Sequence, residues 1–188
     1  GVASGDPTPD GVVLWTRLAP RPLADDGLGG MPARVVDVEW EVASDEQFRR
    51  VEQRGVTAAT PESAHAVHVE LGGLQSGAEY FYRFRADGFL SLAGRTRTAP
   101  APTALTPLTM CVASCSNFEQ GWFTAYRRLA EEQPDLVVHL GDYQYEYGPR
   151  DGGVRAHAGL ETVTLANYRQ RYAQYKTDPD LQAAHAAA

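Results

Sequence analysis

Only two cysteines occur among the 188 residues, Cys111 and Cys115. Were both on one extended strand, four steps of about 3.3 Å would set their α-carbons roughly 13 Å apart, beyond the about 7 Å that a disulfide tolerates. They are expected to stay unpaired, with Cys111 a small buried apolar residue. They are also not spaced as Cys-x-x-Cys, which argues against a thiol redox centre. No apolar run approaches the roughly 20 residues of a membrane-spanning helix. No Lys/Arg cluster interrupts a formal net charge of −7. That balance argues against a nucleic-acid-binding surface, which is built as a basic stripe. Internal repeats and low-complexity domains are absent. No leader pattern is present either: Gly1 opens directly into strand-like sequence, so any export signal is expected to have been removed or left out.

What remains is an ordinary globular composition, 43% hydrophobic and 22% charged, with room for one or two domains. Residues 1–99 read as all-β. The turn-forming run Asp6-Pro7-Thr8-Pro9-Asp10-Gly11 precedes a strand at Val12 to Leu18. Val35 to Ala43 alternates, with Val36, Val38, Trp40 and Val42 on one face and Asp37, Glu39 and Glu41 on the other. His65 to Leu71 alternates again and puts His68 on the outer face. Glu79 to Arg85 is a further strand after the Gly72–Gly77 turn, and short strands with frequent turns suggest a sandwich. Leu74 followed by Tyr80 and Tyr82 is similar to the corner and strand of fibronectin type III domains. His65 and His68 have no third ligand close in sequence, so this region carries no evident chemistry. Its expected use is as a lid, wall or packing partner. Residues 100–107, with Pro100, Pro102 and Pro107 and no periodicity, read as a linker.

The stretch from 108 to 147 organises the rest. Leu108 to Ala113 suits a fully buried strand and ends beside Cys115. Asn117 with Gln120 is a plausible helix start, and Phe118, Trp122, Tyr126 and Leu129 recur at spacings of three and four, giving one buried helical face. Pro134 stops that helix. Leu136 to Leu140 is a second strand, closed by Gly141 and followed by Asp142. A strand, crossover helix and strand of this length imply a parallel pair. Sites in parallel sheets gather beyond the carboxyl ends of strands, so the topology should bring Cys115 near Asp142, with Tyr145 able to turn back to the same centre. A thiolate, a carboxylate and a phenolate suit a strongly Lewis-acidic ion better than a structural zinc. The N-terminus of the adjoining helix would favour the Cys115 thiolate. His139, inside an apolar strand, reads as a hydrogen-bonded histidine supporting the site rather than a ligand.

Gly141-Asp142-Tyr143-Gln144-Tyr145 matches the Gly-Asp-x-x-Tyr motif of the purple-acid-phosphatase-like metallophosphoesterases. The longer run from Val112 to Gly148 resembles the PhoD family of alkaline phosphatases and phosphodiesterases, and the opening, Gly1 to Leu18, resembles that family's N-terminal domain. The resemblance implies a fibronectin-type-III-like β-sandwich over 1–99 and, over 108–188, the first part of an α/β metallophosphoesterase domain. It implies that Cys115 ligates ferric iron, that Asp142 bridges iron to calcium, and that Tyr145 is the phenolate on iron. Cys115 stands where related phosphatases place an aspartate, a departure typical of PhoD. The implied activity is hydrolysis of phosphate mono- or diesters by a metal-bound hydroxide, with no protein nucleophile, in a secreted, periplasmic or cell-envelope enzyme. The family's later Asn-His, Asp-Asp-His-Glu and histidine ligands are not in this sequence. The chain is therefore expected to be the front portion of a larger enzyme, inactive alone and completed by downstream sequence.

Beyond the motif, the glycine-rich Gly148 to Gly159 lacks a Gly-Lys-Thr or Gly-Lys-Ser pattern and is no phosphate-binding P-loop. It reads as a plain surface excursion, with a mobile flap carrying Arg150, Arg155 and His157 as the alternative. Ser114 and Ser116 have no base visible in sequence. Thr164 to Lys176 returns to helical spacing through Leu165, Tyr168, Tyr172 and Tyr175, tyrosines expected to pack. Asp178-Pro179 starts a final helix with an N-cap and a first-turn proline. Two other classes stay open: a non-catalytic extracellular binding or interaction module, and a metallophosphatase fold that keeps a structural metal without hydrolysis.

Overall fold

In the computed structural model, which describes residues 1–188, ten strands and three α-helices follow one another from an all-β half into an αβ half. One sheet orders β1 (Val2–Thr8), β2 (Gly11–Arg17) and β5 (Ala66–Leu71). The other orders β4 (Val51–Ala59), β3 (Val36–Ala43), β6 (Glu79–Ala86) and β7 (Phe89–Leu90), with β8 (Gly94–Arg97) also pairing β6. All pairings in these two sheets are antiparallel. Alternation does what it must on a pleated strand: Val38 and Val42 of β3, Leu14 of β2, Val67 and Val69 of β5, and Tyr82 and Phe84 of β6 meet in one core. His68 lies on the exposed face of β5, as its phase requires, whereas His65 is fully buried with Nε2 2.9 Å from the Arg34 carbonyl.

The fibronectin-like corner is present. The Gln75 backbone N–H donates to the Tyr80 hydroxyl at 2.9 Å, the phenol-to-backbone bond that pins the turn before a sandwich strand. Two glycines are required by large rings opposite them. A Cβ on Gly55 would sit 2.5 Å from the indole of its cross-strand partner Trp40, and one on Gly94 would sit 2.3 Å from the Tyr82 ring.

The second half is built on β9 (Met110–Ala113) and β10 (Leu136–His139), paired in parallel from Leu136 opposite Met110 to His139 opposite Ala113. The parallel expectation holds, but full burial does not. Met110 and Val112 are more than half exposed, Cys111 is half-buried, and every β10 residue is intermediate, because a two-stranded sheet has open edges and an uncovered face. The crossover helix is also shorter than its spacing predicts. Phe118–Gln120 form one 3-10 turn capped by Asn117, Gly121 is extended, and α1 begins only at Thr124, running to Glu131. The break turns Trp122 out to solvent, 64% exposed, and turns Phe123 into the core beside Phe118, Tyr126 and Tyr175.

α2 (Leu165–Lys176) starts at Thr164 with a reciprocal capping box to Asn167. Of the residues expected on its buried face only Tyr175 is buried; Leu165, Tyr168 and Tyr172 are exposed, and Gln170, Arg171 and Gln174 point inward instead. This helix packs on loops whose carbonyls need donors, so its inner face is polar. α3 (Pro179–Ala187) begins as its sequence predicts, with Asp178 Oδ1 accepting from Asp180 N and Leu181 N and proline in the first turn. The C-terminal end of α3 meets the sandwich: Ser4 Oγ donates to the Ala188 carbonyl at 3.1 Å and Arg95 Nη1 to the Ala187 carbonyl at 2.8 Å. Arg97 pairs with Asp135, just before β10, across the same seam.

Candidate metal centre

The carboxyl ends of β9 and β10 are stitched together by backbone bonds. Leu140 N donates to Ala113 O at 2.9 Å, Cys115 N to Gly141 O at 3.1 Å, and Ser116 N to Asp142 O at 2.9 Å. Those bonds hold the Cys115 and Asp142 loops side by side, as parallel topology predicts. Cys115 Sγ donates toward Asp142 Oδ2 at 3.7 Å, and the Tyr145 hydroxyl donates to the same oxygen at 3.1 Å. Two of the three sequence-predicted residues, Cys115 and Tyr145, therefore converge on one oxygen of the third, Asp142. The other oxygen, Oδ1, takes no hydrogen bond.

Two further observations mark this point. Cys115 and Asp142 both adopt left-handed backbone, φ 56° and 52°. Such conformations cost about 1–3 kcal/mol each and collect at functional sites. Burial raises the Tyr145 phenol above its ordinary range, and Asp142 and Cys115 beside it push the same way. The Tyr145 phenol beside that carboxylate thus resists giving up its proton, a cost that a bound cation would relieve. Two anionic oxygen donors and one thiolate are groups able to hold a metal cation.

Behind the centre, His139 is held on both nitrogens. Gly141 N donates to its Nδ1 at 3.3 Å, so Nε2 carries the proton and faces the Tyr126 hydroxyl at 3.1 Å and Ser116 Oγ at 3.3 Å. Burial lowers its pKa, against the opposing pull of Asp142. Ser116, for which the sequence shows no base, thus lies beside a histidine that donates to it and cannot take its proton in this tautomer. Its Oγ also bonds the Tyr126 hydroxyl within the buried cluster.

The expected helix N-terminus does not adjoin Cys115. A single 3-10 turn stands there, too short to sum a useful dipole, and α1 begins nine residues on at Thr124. The glycine-rich loop lies at the surface over most of its length, as expected, but two of its cations, Arg155 and His157, turn inward and are not carried on a flap. Arg155 is buried against Asp178 at 2.6 Å, donates to the Phe118 and Gly121 carbonyls, and lies 3.7 Å from the Phe118 ring centroid. His157 is buried, with Nδ1 2.9 Å from the Tyr147 carbonyl and Nε2 3.1 Å from the Tyr175 hydroxyl. Glu119 receives the backbone N–H groups of Arg150 and His157, both at 3.1 Å; burial raises its pKa, but these donors outweigh it and hold the carboxyl below its usual range. Of the loop's three candidate cations only Arg150 is exposed, its guanidinium 4.2 Å over the Tyr147 ring.

Comparison with known proteins decides the family. The family model described as PhoD-like phosphatase, N-terminal domain, matches residues 1–100, and that of PhoD-like phosphatase matches residues 110–188. The chain belongs to the PhoD-like phosphatases. It is 53% identical over 193 aligned residues to alkaline phosphatase D of Bacillus subtilis (strain 168), covering 100% of this chain and 33% of that protein. A solved structure of PhoD superposes over 100% of this chain and 36% of its own, at TM-score 0.95 and 53% identity. The chain therefore spans about a third of the length of the relatives it matches. Its architecture is that of the family's N-terminal β-sandwich followed by the opening part of its α/β domain. No helix is long and apolar enough to cross a membrane.

Within this PhoD-like frame the supports are Tyr126 and Tyr175, which the sequence marked only as packing residues, and Arg171 and Glu119, which it did not mark. None carries a motif, and only the general rule that a buried phenol or guanidinium must find partners could have shown their roles.

Proposed function

We propose that the full-length protein carrying this chain hydrolyses phosphate mono- or diesters at a metal centre whose iron side is held by Cys115, Asp142 and Tyr145. The observation that carries the reading is the convergence of Cys115 Sγ and the Tyr145 hydroxyl on Asp142 Oδ2, at 3.7 and 3.1 Å. Cys115, Asp142 and Tyr145 would hold ferric iron, with Asp142 shared with a neighbouring calcium. The bound metals would supply the positive charge that an anionic ester requires and would lower the pKa of a water. The chain's own residues place the donors: backbone bonds hold the Cys115 and Asp142 loops side by side, and the Ser116–Tyr126–His139 cluster packs behind them. Membership of the PhoD-like phosphatases supports the reaction class, and the name of the Bacillus subtilis relative, alkaline phosphatase D, supports the substrate class. The sandwich serves as a wall and packing partner, and an extracytoplasmic location goes with the family.

The test is elemental analysis of the full-length protein, intact and as Asp142→Ala, with hydrolysis of a chromogenic phosphodiester measured on the same samples. Iron and calcium falling together with activity in the variant is the expected result. Unchanged metal content in Asp142→Ala, or no metal in the intact protein under replete conditions, would overturn the reading.

A further inference from the structure

Tyr145 cannot hold its position from its own loop. Residues 144–150 form no helix or strand, and the loop's main chain is tied down by α2 instead. The Tyr175 hydroxyl accepts two backbone N–H groups, from Tyr145 at 3.2 Å and from Phe118 at 3.2 Å. A phenol oxygen has one proton left to give, and the acceptor is His157 Nε2 at 3.1 Å. His157 is fit to accept because its other nitrogen faces the Tyr147 carbonyl at 2.9 Å and so carries the ring proton. Every hydrogen-bonding position of the Tyr175 hydroxyl is thereby used.

Arg171, one helical turn earlier and on the same face of α2, grips the same segment from its carbonyl side. Its Nη1 donates to Tyr145 O at 2.6 Å and Tyr147 O at 2.7 Å, and its Nη2 to Leu160 O at 3.1 Å. Both side chains are fully buried. Arg171 forms no salt bridge; its hydrogen bonds go to loop carbonyls, while Glu119 and Glu146 favour its charge from farther off. Burying a cation costs several kcal/mol that such contacts must offset. The carbonyls that do so belong to the 145–160 segment, which begins at the candidate phenolate.

We propose that Tyr175, together with Arg171, is a positioning residue for Tyr145, fixing the Tyr145 main chain so that its hydroxyl meets Asp142. This rests on the metal-centre reading above. The loop carrying Cys115 is reached through the same hydroxyl by way of Phe118 N, so one phenol on α2 ties together the two loops that supply the donors.

The test uses the full-length protein, freed of metal and titrated with ferric ion alone, followed by the phenolate-to-iron absorption band and by the dissociation constant. Tyr175→Phe keeps the ring among Phe118, Phe123 and His157 and removes only the hydroxyl. Expected is a ferric dissociation constant about 10–100-fold weaker, the usual effect of losing a residue that orients a ligand, with a shifted or weakened band. Arg171→Lys, which keeps charge and loses the fork, should move both readouts in the same direction and stands in if Tyr175→Phe fails to fold. Leu181→Ala loosens the same core from α3 and should leave affinity and band unchanged. Wild-type affinity and band in both α2 variants, while Tyr145→Phe loses the band, would overturn the positioning role alone. An equal loss in Leu181→Ala would do the same, by showing general loosening. An intact band and affinity in Tyr145→Phe would instead remove the metal reading, and this inference with it.

Discussion

Replacing Asp178 by asparagine isolates one buried charge. Asp178 does two jobs with two oxygens: Oδ1 caps α3 at Asp180 N and Leu181 N, and Oδ2 pairs with Arg155 Nη1 at 2.6 Å. The side chains of Asp178 and Arg155 are 1% and 8% exposed. Asparagine keeps an oxygen for the cap but presents an amide N–H₂ to the guanidinium, so the charge is lost and two donors face each other. Removing one partner of a buried pair costs about 3–5 kcal/mol. The lower end, about 3 kcal/mol, applies because Arg155 retains the Phe118 and Gly121 carbonyls and three aromatic faces. Asp178→Ala should cost about 1 kcal/mol more, the value of an N-cap. The assay is native-state hydrogen exchange of the full-length protein, read at Val154 and His157, whose amides bond Glu119 within the Arg155-anchored loop. A loss of about 3 kcal/mol corresponds to exchange roughly 150-fold faster. Acceleration under about 5-fold in Asp178→Asn would refute the assignment of this pair as the loop's anchor.

Two smaller perturbations probe the fold elsewhere. Tyr80→Phe removes the acceptor of the Gln75 N–H and should lower the denaturation midpoint of the sandwich by the equivalent of about 1 kcal/mol, with no change in metal content. His185 has its pKa held down to about 3, first by burial and then by the positive charges of Lys176, His139 and the Gly1 amino group. The unfolded chain takes up that proton near its ordinary value and the folded chain does not. Its contribution to stability is therefore complete above about pH 6.5 and is lost progressively as pH falls toward 3, by at most about 1.4 kcal/mol per unit. Urea midpoints measured downward from neutral pH should show that slope, and His185→Gln should flatten it.

Much of the sandwich was legible because its code is local. A strand with one buried face must alternate, and β3 and β5 alternate in sequence and in burial alike. β4 was not legible: it is an edge strand bearing Gly55 opposite Trp40, mostly exposed, so no apolar phase marks it. The crossover helix misled through its spacing, since Phe118, Tyr126 and Leu129 do reach the core while Trp122, in step with them, does not. Gly121 interrupts the helix, and the period restarts one residue out of phase with Phe123 inward. In α2 the apolar stripe was the wrong guide, because what that helix faces is loop carbonyls.

For the centre itself, the residue types and their places at strand ends were readable: a cysteine after β9, an aspartate after β10, a tyrosine three residues on. Parallel pairing follows from a strand, a short helix and a strand, and it already implies that Cys115 and Asp142 lie close. The sequence alone thus determined which candidate donors there are and at which end of the sheet they gather, because residue type is given and placement follows from connectivity and strand order. Only the tertiary structure decided that Cys115 and Tyr145 aim at a single oxygen of Asp142, that Arg155 and His157 are spent on holding a loop, and that Tyr175 and Arg171 brace Tyr145. Those are contacts between groups up to about sixty residues apart, such as Phe118 and Tyr175 at a separation of 57. Their partners are backbone amides and carbonyls, which every residue carries, so side-chain spacing leaves no mark of them.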